Sequence, residues 1–122
     1  MKDHAAFNKA DLSRIYGEHP DCWLGSGKAQ DWHHIFSRGE RFGERRIASD
    51  GRKMFGSVLN AAPLGRLPHD RCPILHHPGM EMALYSLARL RVQNAVIAGD
   101  YEYTDNDREF MAFIDKRLQN PI

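Results

Sequence analysis

Asp31-Trp32-His33-His34-Ile35-Phe36 is the stretch on which the reading of this chain turns. It is short, aromatic and apolar, and glycines stand on either side of it at Gly27 and Gly39. Such a run predicts a strand over Gln30 to Phe36. A second apolar run from Ser57 to Leu64, bounded by Gly56 and Gly65, predicts a partner strand, so the two form a hairpin with a long connection. Side chains alternate across a strand. Adjacent histidines therefore point to opposite faces unless the backbone is twisted or bulged there.

Helices are expected on both sides of this hairpin. Lys9 to Tyr16 reads as a short helix stopped by Gly17. From Glu81 to Ala98, Met82, Tyr85, Leu87, Leu90, Val92, Val96 and Ile97 recur without Pro or Gly until Gly99. Thr104 is a candidate N-cap with Asp107 three residues on, ahead of Phe110, Met111, Phe113, Ile114 and Leu118 at helical spacing. The fold class is α+β: a single domain over 1–122. It has an N-terminal extension with a short helix (1–21), a hairpin-plus-helix core (22–79) and two packed C-terminal helices (80–122).

With 122 residues, 42% hydrophobic and 27% charged, the chain has enough apolar material for one modest core and too much for a disordered segment. No window approaches the ~20 apolar residues of a membrane span, and Met1-Lys2-Asp3-His4 lacks the apolar run of a signal peptide. The expected location is the cytoplasm. In that compartment Cys22 and Cys72, fifty positions apart, are expected as thiols or metal ligands rather than a disulfide. The net charge of +1 conceals a basic segment in which Arg38, Arg41, Arg45, Arg46, Arg52 and Lys53 stand against Glu40, Glu44 and Asp50. A polyanion could sit there; a solvated loop of mixed charge is the competing reading.

Eight of the ten glycines and five of the seven histidines fall between Cys22 and Gly79, which is the composition of a loop-rich site. Four of those histidines form two adjacent pairs, His33-His34 and His76-His77. Imidazole has an unperturbed pKa of ~6.5, so near neutral pH it can accept a proton or donate a lone pair to a metal. Hydrolysis of a phosphodiester needs both services: a water made nucleophilic, and a cation facing the phosphate.

The order His-His on the first strand, Asn60 on the second and His69 nine positions later resembles the HNH motif of the ββα-metal (His-Me finger) nucleases. The resemblance covers roughly residues 22–79. It implies a ββα-metal core in which His33 is a metal ligand, His34 the general base, Asn60 the residue that holds the site's backbone, and His69 the ligand on the helix. Pro73 would end or kink a helix begun at Pro68. His76 and His77 are accordingly held as reserve ligands or phosphate contacts. Asp31 could orient an imidazole or cap a turn. Many members of the family also carry a zinc knuckle of two Cys-x-x-Cys pairs. Here Cys22 stands at the first of the four positions, but Gly25, Gly65 and Pro68 occupy the others. A four-thiol knuckle is thus excluded, and a site rebuilt from Cys22, Cys72 and nearby histidines is the alternative.

The function that the resemblance implies is endonucleolytic hydrolysis of DNA with Mg²⁺ or Mn²⁺, Zn²⁺ being the alternative ion. Arg38, Arg41, Arg45, Arg46, Arg52 and Lys53 would track the phosphates. Small nucleases with this motif are similar to those encoded by phages and mobile elements, which would put the protein in a host cytoplasm. The rival is a non-catalytic DNA-binding or structural module on a degenerate HNH frame. A zinc hydrolase of another substrate class is disfavoured, since no His-Glu-x-x-His motif is present.

Overall fold

The computed structural model describes residues 7–25, 27–36, 46–66 and 73–119. Helix α1 spans Lys9–Tyr16; the Asn8 side chain accepts the Asp11 N–H at 3.1 Å, and Asp11 puts a carboxylate in the first turn. Gly17, at φ 79°, ends the helix by donating its N–H to the Ser13 carbonyl. That backbone angle is strained for any residue with a Cβ. The chain then makes a narrow turn, with an isolated bridge between Asp21 and Lys28 and a 3.0 Å bond from Cys22 N–H to the Gly27 carbonyl.

Strands β1 (Asp31–His34) and β2 (Ala61–Leu64) pair antiparallel, with Asp31 opposite Leu64 and His34 opposite Ala61. Both are shorter than expected. The stretch expected to open the second strand coils instead into two 3₁₀ turns, Met54–Gly56 and Val58–Asn60. The cause is local. Backbone donors of Gly56, Ser57 and Asn60 are satisfied three residues back, and Ser57 Oγ accepts the Leu59 N–H, which leaves none of these groups for a ladder. β2 is buried along its whole length, so it shows no alternation of apolar and polar residues.

A 3₁₀ turn, Pro73–His76, leads into α2, Pro78–Ile97, whose N-cap is His77. The helix begins three residues before the expected Glu81, because Pro at the first helical position gives up an N–H that would have no partner there. Gly99, at φ 83°, follows its end. Helix α3, Asp105–Gln119, starts at a reciprocal cap: Thr104 N–H donates to Asp107 Oδ2 at 3.0 Å, and Asp107 N–H to Thr104 Oγ1 at 3.4 Å.

One apolar cluster among the described residues joins these pieces, from Leu12 on α1 through Ile35, Phe55, Leu59 and Tyr85 to Phe110 and Ile114 on α3. Its centre is aromatic. Phe110 meets Phe55 edge-on at 5.4 Å, and Phe36 meets Tyr85 edge-on at 5.4 Å. Each such side chain, fully removed from water, contributes about 2–3 kcal/mol. The C-terminal helices pack together as expected, through Tyr85 against Phe110 and through Asp115, which accepts from Tyr85 Oη and Arg89. Trp32 packs against Tyr16, and Phe36 against Tyr85 and Phe110. No helix among the described residues is long and apolar enough to cross a membrane.

Candidate functional site

Asn60 is fully buried at the entry to β2. Its backbone carbonyl accepts the Ile35 N–H at 2.8 Å, and its side-chain Oδ1 accepts the Phe36 N–H at 2.8 Å. Its Nδ2 donates to the Phe55 carbonyl at 3.0 Å. A single residue therefore fixes the two peptide groups that follow His34 and ties them to the turn before β2. An amide side chain is needed for this, because one end must accept while the other donates.

The histidine pair divides. Pairing along β1 is residue for residue, so neighbouring side chains take opposite faces. His33 is 3% exposed, and its ring lies 5.2 Å from that of His76, centroid to centroid. His34 is half-buried and stacks on Phe7, with centroids 4.3 Å apart and planes at 25°. Phe7 also lines a cavity of about 450 Å³ with Asp11, Arg52, Lys53, Tyr101 and Asp107.

Behind His76 stands Glu81, in the first turn of α2, its Oε2 3.8 Å from His76 Nδ1. Burial pushes the Glu81 carboxyl above its ordinary range, and the neighbouring His76 pulls it partly back. His77 is engaged differently: its Nδ1 accepts the Gly79 N–H at 3.1 Å, so one imidazole lone pair serves as the helix cap. Of the two reserve histidines, His76 is the one beside His33. His69, the ligand that the motif names, lies outside the described residues, as do Cys72, Arg38, Arg41 and Arg45.

Other expected positions are plain. Cys22 is a buried free thiol whose Sγ accepts the Gly65 N–H at 3.1 Å. Cys22 and Gly65, where the resemblance would put the first residues of the two knuckle pairs, are thus neighbours in space. Asp31 sits 3.9 Å from Arg66 Nε, an ion-pair contact at the end of the hairpin. From Arg46 to Lys53 the basic segment is a tight turn closed by an Ile47–Lys53 bridge and tethered to α3 by Ser49 to Glu109 and Asp50 to the Asn106 N–H. Arg46 lies over the Phe113 ring at 4.7 Å, and Arg52 is 3.5 Å from Asp11.

Phe7 and Glu81 were not foreseen from the sequence. Their signals were weak: an aromatic residue directly before a helix N-cap, and an acid five positions after a histidine.

Two imidazoles bound to one ion at metal–nitrogen distances of about 2.1 Å have ring centroids on the order of 5 Å apart. The His33–His76 separation fits that requirement. Among the described residues no group of three or more His, Cys, Asp or Glu side chains converges, so two nitrogens are what this part of the chain offers. Comparison of the chain with family models, with curated proteins and with solved structures gives no match.

Proposed function

We propose that the protein is a metal-dependent endonuclease of the HNH type that hydrolyses DNA phosphodiester bonds, built on a ββα-metal core. The observation that carries this reading is the Asn60 clamp. A buried asparagine that binds the peptides after the second histidine would hold a base in a fixed position while also supporting the fold. Two features support it: the imidazole partner of His33, and the closeness of Cys22 to Gly65, the positions that the resemblance gives to the first residues of the two knuckle pairs.

In this reading His34, the last residue of β1 and on the face opposite His33, takes the proton from a water held at the end of the strand, where one site can reach both faces, its ring steadied by Phe7 and its backbone by Asn60. His33, with His69 of the motif, would hold Mg²⁺ or Mn²⁺, or Zn²⁺ as the alternative. The bound ion supplies positive charge for the phosphate and the leaving oxygen. Arg38, Arg41, Arg45, Arg46, Arg52 and Lys53 would meet flanking phosphates.

The test is plasmid nicking by metal-stripped protein with Mg²⁺, Mn²⁺ or Zn²⁺ restored, beside His34→Ala. Nicking that depends on the ion and falls by ~10²- to 10⁴-fold in the variant is the expected result. Intact DNA binding with no nicking under any ion would transfer the assignment to a non-catalytic DNA-binding module.

A further inference from the structure

We infer that His76 is a ligand of the ion held by His33, and that Glu81 is the positioning residue that sets the His76 ring. The inference rests on the nuclease reading for what the ion does, but not for its binding.

Three observations converge. The rings of His33 and His76 come together from distant parts of the chain, one from β1 and one from the turn that enters α2. His76 Nδ1 faces the Glu81 carboxylate, which leaves Nε2 as the coordinating nitrogen. An imidazole backed by a carboxylate on its other nitrogen is the usual form of a histidine ligand, because the carboxylate fixes the tautomer and raises the basicity of the free lone pair. The backbone between the two residues is fixed as well. Glu81 N–H donates to the His77 carbonyl at 2.9 Å, and the His77 side chain caps the same turn. The His76 side chain is 57% exposed and that of Glu81 only 12%, so the carboxylate is anchored in the fold while the imidazole stands at the surface.

Burial of the Glu81 side chain costs free energy, which the N-terminal turn of α2 and the nearby His76 and Arg117 offset in part. The same placement lets the carboxylate orient the His76 ring. Catalytic zinc sites use three protein ligands and one open position, so these two nitrogens would supply part of the shell and leave positions for water or a phosphate oxygen.

The experiment titrates the full metal-stripped chain with Co²⁺ and with Zn²⁺ alone, without DNA, and follows the visible Co²⁺ spectrum and the heat of Zn²⁺ binding. His76→Ala is expected to weaken binding by ~10- to 100-fold and to change the Co²⁺ bands. Glu81→Gln should weaken it by roughly 10-fold, with Glu81→Asp recovering part of the loss. The melting temperature of His76→Ala should match that of the unaltered chain, since the side chain is largely in water, and His33→Ala serves as the binding-negative reference. Unchanged affinity and spectrum in His76→Ala would overturn the inference. If binding falls as stated but no form of the protein nicks DNA, the metal site stands and the nuclease reading falls. If nicking is metal-dependent and indifferent to His76→Ala, the nuclease reading stands and this inference falls.

Discussion

The imidazole of His34 lies nearly flat against the ring of Phe7, 4.3 Å between centroids. Phe7 immediately precedes Asn8, which caps α1, so the position of the stacking partner is set by the start of that helix. A ring pair of this kind is worth about 0.5–1.5 kcal/mol. Phe7→Ala should therefore lower the nicking rate by roughly 2- to 10-fold, well short of the loss in His34→Ala, while Phe7→Tyr keeps most of it. Imidazole resonances of His34 should shift in parallel. A rate and a spectrum both unchanged in Phe7→Ala would remove the stack from the site.

Asn60→Ala should destabilise the fold by about 2–4 kcal/mol, because the Phe36 N–H and the Phe55 carbonyl both lose a buried partner. Asn60→Asp keeps an acceptor for Phe36 but turns a carboxylate oxygen toward the Phe55 carbonyl, so it should not recover the wild-type value. Urea unfolding of the three proteins measures this. A loss for Asn60→Ala below roughly 0.5 kcal/mol would mean that water replaces both bonds.

Alkaline pH should unfold the protein cooperatively. Tyr16, Tyr85 and Tyr101 are all raised above their ordinary 10.0, chiefly by burial; beside Tyr85 and Tyr101, the carboxylates of Asp115 and Asp107 add to the effect. Above about pH 10 the unfolded chain loses these protons while the folded one retains them. Stability therefore falls as pH rises from that point and is intact below it. Phenolate absorbance and loss of helical signal should appear together; three phenolates formed with the helices intact would contradict the burial. Tyr101 also donates to Asp107 at 2.5 Å, and Asp107 accepts from Ser57 Oγ at 2.6 Å, so Asp107→Ala should lower the melting temperature more than any exposed substitution on α3.

Binding to DNA should weaken with salt, and the charges should not count equally. Among the described residues no carboxylate stands against the Arg46 guanidinium, which lies over Phe113, whereas Arg52 already faces Asp11. Arg46→Ala is expected to reduce the slope of log affinity against log salt by about 1, and Arg52→Ala by clearly less. Equal slopes for Arg46→Ala and the unaltered protein would place the polyanion elsewhere.

The three α-helices among the described residues and the pairing of two short strands were legible because their signals are local: Asn8 and Gly17 around α1, the unbroken run before Gly99, and the Thr104–Asp107 cap. Ser57 to Asn60 misled because apolar residues bury equally well in a turn, and the outcome rested on which backbone donors found partners three residues back. The role of Asn60 in holding backbone followed from the motif. That His76 would meet His33 did not, since nothing in the spacing of residues 33 and 76 encodes a contact that packing of α2 on the hairpin creates. Glu81 was hidden for the same reason: it looks like any acid in a first helical turn until His76 is seen beside it.

The thiol of Cys22 has its own consequence. A sulfur and a peptide N–H close the contact between the turn after α1 and the end of β2. That bond is made between protein atoms alone, so a chelator should leave it in place.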